Sequence, residues 1–351
     1  ESATLAMARM SRELKAEGHD VITLSLGEPD FNTPDFIKDA AHQAIKDNYS
    51  HYTPVSGLEE VRRAIVKKFK RDNKLEFNID QIVVSTGAKQ SLANVCLSLL
   101  NPGDEVLLPC PYWVSYAEII KLAEGTPIEI PSCINNDFKV TAKKIENSIT
   151  EKTKLLIFSS PCNPSGTVYN QNELEEIAQI LEKHPEIYVI SDEIYEHINF
   201  TKKHFSIGTI PNMKERTITV NGVSKGYAMT GWRVGFIGAP LWIAKACNKI
   251  QGQITSATCA IAQKATEKAL IADPKIVTKK MRDTFLKRRD LVLKKLNEIE
   301  GISCNIPQGA FYVFPDISSY FGKSYGNTKI NNADDFCMYL LNSAAHVSTR
   351  L

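Results

Sequence analysis

From Pro34 onward, for about 200 residues, short apolar runs alternate with longer segments of helical periodicity, and this alternation restricts the fold more than any other feature. The spacing predicts strands over 81–85, 104–108, 126–131, 154–159, 187–191, 217–220 and 234–238. It predicts helices over 35–47, 58–72, 89–100, 112–123, 172–184, 240–251 and 257–271. Strands separated by helices pair in parallel, and a parallel sheet needs helices on both faces. The expected class is therefore α/β, a large domain with a mostly parallel sheet flanked by helices. Ligands of such sheets bind beyond the carboxyl ends of the strands.

At 351 residues the chain exceeds a usual single core, so a smaller companion domain is expected. The pattern changes after residue 271. A basic helix over 275–299 is followed by a strand-like run, Gly309–Pro315, and a helix over Ala333–Asn342. With the N-terminal helix Leu5–Ala16 and the apolar run Val21–Leu26, these form a smaller α+β domain built from both termini. The division reads 1–30 for its N-terminal segment, 31–284 for the large domain and 285–351 for the rest of the small one. Between them the loop Gly27–Pro34 is dense in turn formers, with Thr33 as helix cap and Pro34 at the first helical position.

A formal charge of +2 asks for neither nucleic acid nor a membrane surface as partner. The basic run Lys279–Lys295 is interleaved with Met281, Phe285, Leu286, Leu291 and Leu293, and reads as an amphipathic helix with a solvated face. Eight cysteines without a C-x-x-C pair speak against a disulfide framework or a zinc site, and for a reducing, cytoplasmic setting. No apolar run approaches the ~20 residues of a membrane span. The chain begins at Glu1 rather than methionine, which is compatible with a removed targeting peptide.

Five stretches carry chemistry. In Asn221–Gly235, Lys225 lies eight residues before Arg233. A deprotonated lysine amine can hold an aldehyde, and a guanidinium offers a planar fork to a phosphate. In Val83–Gln90 an apolar strand runs through Gly87-Ala88 into a helix start, so free N–H groups and the helix dipole face one point, an anion site or simply a strand-to-helix turn. Trp113, in Pro109–Trp113, offers a ring to a flat aromatic ligand, or packs in the core. Asn163, in Ser159–Gly166, sits on a rigid turn that can aim its amide, or serves an Asx-turn. Asp192, in Val189–Tyr195, ends an apolar strand where an unpaired charge is costly, so it needs a partner such as a protonated ring nitrogen, or acts as a helix cap. Tyr195 is within reach of the same ring.

Together SLGEPDF, YTPVSG, STGAKQSL, PYWVSY, SPCNPSG, SDEIYEHI and SKGYAMTGWRVG resemble the fold-type I pyridoxal-phosphate aminotransferases, closely the class I aspartate aminotransferase branch, subgroup beta. The resemblance runs from Ser2 to about Val347. It implies pyridoxal 5′-phosphate as cofactor, held covalently by Lys225, which then moves the proton between Cα and C4′. It implies that Asp192 pairs with the pyridinium nitrogen, that Asn163 and Tyr195 bond the phenolate oxygen, and that Trp113 stacks on the ring. The phosphate falls to Gly87-Ala88, Arg233 and Ser224, with Tyr52 of HYTP reaching the phosphate of a neighbouring subunit in a homodimer. The backbone of Gly27, with Asn163 and Trp113, is similar to the family's α-carboxylate contacts. Lys89 matches a lysine that binds a distal carboxylate, with Thr4 nearby, which favours aspartate, glutamate and their 2-oxo acids in a ping-pong exchange through pyridoxamine phosphate. Prephenate or aromatic transamination, or a β-lyase reaction, is the alternative within the fold, and comparing amino donors separates them.

The family's C-terminal arginine, set in a segment like R-[LI]-S-Y-A, is not found in that pattern. The chain stops at Val347-Ser348-Thr349-Arg350-Leu351, either truncated or given without residues that would make Arg350 that clamp. A truncated chain would bind cofactor and turn over poorly, since the bidentate arginine–carboxylate contact is a strong one. A non-catalytic scaffold is the reading from another class, marked by cofactor binding without turnover. A nicotinamide dehydrogenase is disfavoured because no glycine fingerprint follows an early strand.

Overall fold

In the computed structural model, residues 3–201, 203–326, 328–344 and 347–348 are described. The centre is a seven-stranded sheet of β1 (Ile82–Ser85), β2 (Glu105–Pro109), β3 (Thr126–Ile130), β4 (Thr153–Ser159), β5 (Tyr188–Asp192), β6 (Thr217–Gly222) and β7 (Gly235–Gly238). Their order across the sheet is β1-β7-β6-β5-β4-β2-β3. All pairings are parallel except those of β7, which runs antiparallel to β1 and β6. Each expected strand of the sheet is present within a residue or two of its expected limits.

Alternate side chains of these strands feed two layers of core. Val83, Val106, Leu108, Ile157, Ile190, Ile218 and Val220 pack beneath the helices Ala88–Leu99, Ser115–Leu122 and Leu241–Ile254. The opposite face splits. Ile82, Val84 and Phe236 meet the helices Glu59–Lys68 and Ala260–Ile271, with Phe69 edge-on to both Phe77 and Phe236. Leu107, Leu156, Phe158 and Val189 meet the helices Ala142–Ser148 and Gln171–Glu182. Gln171–Glu182 starts with a capping box in which Asn170 accepts from Glu173 N–H at 3.0 Å.

The two ends of the chain come together. Met7 and Val21 pack with Cys337 and Leu341, and Ile22–Thr23 pairs in parallel with Val347–Ser348. The basic stretch forms a helix, Lys279–Leu296, that buries Met281 and Phe285, while Leu291 stays exposed. Arg288 of this helix makes a bidentate pair with Asp30 at 2.7 and 2.9 Å.

Three expectations are corrected and one helix is added. Gly309–Pro315 is not a strand: its one isolated bridge among the described residues is Asn199 with Gly309, a second, Ser303 with Asp316, lies just beyond it, and Ala310 adopts a left-handed φ of 56° that breaks the extended run. Its aromatic residues Phe311 and Tyr312 pack instead among Phe285 and Tyr195. Thr33 does not cap the next helix, because its hydroxyl donates to the Ala228 carbonyl at 2.7 Å and Trp232 Nε1 donates to it in turn. The helix expected over 58–72 ends at Lys68 and continues as a π-helical turn, Phe69–Asn73. The helix Ala142–Ser148, capped by Thr141, was not foreseen, since seven residues are too few to set up a period.

Candidate active site

The carboxyl ends of β1, β4, β5 and β6 gather the motif residues. Because β7 runs the other way, its beginning lies at this same edge and brings Arg233 to it. β1 runs into Thr86 and then Gly87, which caps the helix Ala88–Leu99 with φ +86°. The helix carries no acidic residue in its first turn, so its N-terminal dipole is uncompensated. A Cβ on Gly87 would collide with the Arg233 guanidinium, and one on Gly235 would collide with the Ala88 backbone. Glycine at both places lets the arginine and the helix start close on one point. Arg233 takes a left-handed φ of 56°, and its Nη1 donates to the Thr230 carbonyl at 2.8 Å. Ser224 is buried nearby in sequence to Lys225.

Lys225 follows β6 and stands half-buried, its Nζ donating to the Gly27 carbonyl at 2.6 Å. The rings of Tyr195 and Phe311 are each 5.8 Å from that nitrogen. Leu26, Gly27, Glu28, Lys225, Thr230 and Gly231 line a cavity of about 270 Å³. Gly27 has no room for a side chain, since the Tyr312 hydroxyl fills the place of its Cβ.

Asp192, at the end of β5, is 4% exposed. The Tyr116 hydroxyl donates to it at 2.7 Å and the Ile194 N–H at 3.1 Å. Burial pushes its carboxyl up to about 6, against the pull of those two hydrogen bonds and of Lys225, and with a further push from Glu193. The helix-cap alternative does not hold, because the residues after Asp192 form a turn and no helix, and the Ile194 N–H contact belongs to that turn. Tyr195 is buried with its hydroxyl 2.6 Å from that of Tyr312.

Trp113 lies half-buried and edge-on to Tyr116 at 5.6 Å, and the Lys89 ammonium sits 4.9 Å above its indole. Burial, and then the charge of Arg233, hold Lys89 below the usual lysine value. Asn163 is buried in the turn after β4, where its own N–H reaches the Ser159 hydroxyl at 3.4 Å. Tyr52 stands apart from this group and is 99% exposed. Thr4 belongs to the helix Ala3–Ala16, but its side chain is outside the described residues, as is all of Arg350.

Tyr116 and Tyr312 were not singled out in the sequence. The first stands three residues beyond Trp113 in PYWVSY, and the second inside the run GAFYVFP, so each had a motif around it but no sequence partner to mark its role. The donor set is a helix-start anion cradle with an arginine, a lysine amine at a cavity, and a buried carboxylate with a raised proton affinity. It suits a flat phosphorylated aldehyde with a basic ring nitrogen.

The family model for aminotransferase class I and II matches residues 19–350. A bifunctional aspartate aminotransferase and glutamate/aspartate-prephenate aminotransferase from Petunia hybrida is 47% identical over 348 residues, covering 98% of this chain and 72% of the relative. An aspartate/prephenate aminotransferase from Cereibacter sphaeroides is 46% identical over 97% of this chain and 86% of its own. Among solved structures, the aspartate aminotransferase from Rhizobium meliloti superposes with a TM-score of 0.94 at 41% identity, over 98% of this chain and 86% of that one. The aromatic aminotransferase from Pyrococcus horikoshii superposes with 0.88 at 39% identity, over 97% and 89%. Likeness of this extent, on a site whose donors suit the cofactor, makes the chain a member of the class I and II aminotransferases, pyridoxal 5′-phosphate enzymes that pass amino groups between amino acids and 2-oxo acids.

Proposed function

We propose that the chain transfers the amino group of L-aspartate or L-glutamate to the 2-oxo acid of the other, with Lys225 as the residue that binds the cofactor and moves the proton. The single observation that carries the dicarboxylic preference is Lys89, an exposed cation at the start of its helix, 4.9 Å above Trp113 and beside the Arg233 charge. An ammonium there is matched by a second carboxylate on the substrate. The names of the relatives, aspartate and aspartate/prephenate aminotransferases, support the same reading. They also give prephenate as the alternative amino acceptor.

Pyridoxal 5′-phosphate, when bound, supplies an electron sink for the charge left at the substrate Cα. The residues of this chain divide the remaining work. Gly87, Ala88, Ser224 and Arg233 hold the phosphate. Asp192, ionised opposite the ring nitrogen, keeps that nitrogen protonated. Asn163 and Tyr195 hydrogen-bond the phenolate oxygen, and Trp113 packs on the ring. The Lys225 amine would take the proton from Cα and deliver it to C4′ in the forward half, and do the reverse with the acceptor. The Gly27 backbone, Asn163 and Trp113 are assigned to the α-carboxylate, and Lys89 and Thr4 to the distal one.

We further infer a homodimer in which the fully exposed Tyr52 reaches the phosphate of the partner subunit. The division at residues 30 and 284 into a large and a small domain belongs to the same reading. So does a cytoplasmic setting, supported by eight cysteines of which none forms a disulfide among the described residues. Among the described residues no helix is long and apolar enough to cross a membrane.

The test is the visible absorption of the cofactor-loaded protein before and after L-aspartate. A band that shifts on aspartate and is restored by 2-oxoglutarate is the expected result. A band that ignores aspartate and glutamate but responds to another amino donor would overturn the assignment.

A further inference from the structure

The turn that presents Asp192 and Tyr195 is held from behind by a closed group of charged side chains. Asp192 and Tyr195 face Tyr116 and Tyr312, while Glu193 and Glu196, each one residue further along, face the Asn73 side. Asn73, in the π-helical turn Phe69–Asn73, donates its amide to Glu193 Oε2 at 2.7 Å and to Glu196 Oε2 at 2.6 Å. Lys68 donates to Asn73 Oδ1 at 2.6 Å and is ion-paired with Glu196. Glu193 also accepts from Ser191 at 3.0 Å and Ser206 at 2.6 Å, and pairs with His204 Nε2 at 2.7 Å. Lys68 and Glu193 are each 1% exposed.

Glu193, Glu196 and His204 offer ligand atoms within 4.8 Å of one another, a spacing open to a cation. The Asn73 amide and the Lys68 ammonium already donate to those carboxylates, so this group is closed by its own donors. Two carboxylates this deep cost several kcal/mol each unless balanced. Lys68 balances one. Burial holds His197 below its usual value, towards the neutral form. The second balance therefore falls to His204, which burial would lower but Glu193 and Glu196 raise. Burial alone would also raise Glu196, yet Lys68, His197 and His204 bring it to about 2. An apolar core of equal volume would be as stable or more so, which makes the place of this group, one residue from Asp192, its distinguishing property.

We propose that Glu193, held by Asn73, and His204, paired with it, are positioning residues whose opposed charges set the electrostatic field at Asp192. The other groups facing Asp192 are Tyr116, Cys162, the Ile194 N–H and Lys225. The Ile194 N–H shares a peptide unit with Glu193, so changing the Glu193 and His204 side chains varies the field from behind while that backbone contact is kept. The inference rests on the reading of Asp192 as a cofactor contact.

The experiment is a carbon-13 NMR titration of aspartate carboxyls in the full chain, with Asp192 assigned by its loss in Asp192→Asn. Glu193→Gln removes a negative charge and should lower the midpoint of Asp192. His204→Gln removes a positive one and should raise it. Each shift is expected at about 0.5 pH unit, roughly threefold in proton affinity. Opposite shifts in variants of native-like thermal stability support the proposal, since mere loosening of the turn moves both the same way. Midpoints that stay put, or move together, overturn it. If Glu193→Gln does not fold, His204→Gln decides by the sign of its shift. Neither substrate nor turnover enters this measurement, so it fails or succeeds apart from the choice of amino donor.

Discussion

The hydroxyls of Tyr195 and Tyr312 lie 2.6 Å apart, and the Tyr312 hydroxyl also fills the space beside Gly27, whose carbonyl accepts the Lys225 amine at 2.6 Å. One phenol thus touches both the tyrosine assigned to the ring oxygen and the backbone beneath the lysine. Tyr312→Phe keeps the ring packing against Tyr195 and Phe311 and removes only the hydroxyl. The expected result is an unchanged melting temperature and a kcat/KM for the amino donor lower by about tenfold, ~1.4 kcal/mol, the usual worth of one hydrogen bond. Steady-state kinetics check it, and wild-type kcat/KM would make Tyr312 a packing residue.

Gly87 is tested against a second glycine. Both Gly87 (φ +86°) and Gly103 (φ +88°) lie in the left-handed region, but only the first would press a Cβ onto Arg233, while nothing lies within 4 Å of the second. Alanine at either position should cost about 1–2 kcal/mol of stability through backbone strain. Only Gly87→Ala displaces the guanidinium, so only it should weaken cofactor binding, by tenfold or more. Fluorescence titration with pyridoxal 5′-phosphate separates the two variants, and equal affinities would remove Arg233 and Gly87 from the phosphate site.

These contacts mark where the chain was legible and where it was not. The sheet could be read because its strands are continuous apolar runs buried on both faces, such as Ile82–Ser85. The candidate residues Gly87, Asn163, Asp192 and Lys225 stood out because each lies at or just past the end of such a run. What stayed hidden depends on contacts between distant segments. Asn73 meets Glu193 across 120 positions, and Tyr312 meets Tyr195 across 117. The false strand Gly309–Pro315 has the right composition, β-branched and aromatic, but that reports a half-buried surface as readily as a ladder. Thr33 had the residue type of a cap, yet a carbonyl 195 positions away outcompeted the helix start.

Lys89 carries the dicarboxylic preference and can be read by its loss. Lys89→Ala removes the ammonium over Trp113 without touching Lys225 or Asp192. The kcat/KM for aspartate should fall by about 10–100-fold, the range of 1.4–2.7 kcal/mol for a charge-assisted contact, while that for alanine stays within about twofold. An unchanged ratio of aspartate to alanine would sink the assignment.

Asp192 gives the pH dependence. Its carboxyl titrates at about 6 in the fold against 3.8 for the ordinary side chain, chiefly because it is buried. Below both values each state is protonated and the group contributes nothing to stability. Between them the folded state keeps a proton that the unfolded state has released, so stability falls as pH rises, and above about 6 the full cost remains. A displacement of about two pH units corresponds to on the order of 3 kcal/mol. In Asp192→Asn the amide can still meet the Ile194 N–H and the Tyr116 hydroxyl, but it has no proton to lose. The cofactor-free variant should therefore match wild type near pH 4 and gain on it up to a plateau above pH 7, an advantage of roughly 2–3 kcal/mol in urea unfolding. The other carboxylates cancel in that difference. An advantage that does not change with pH would mean that the Asp192 carboxyl does not titrate in this window.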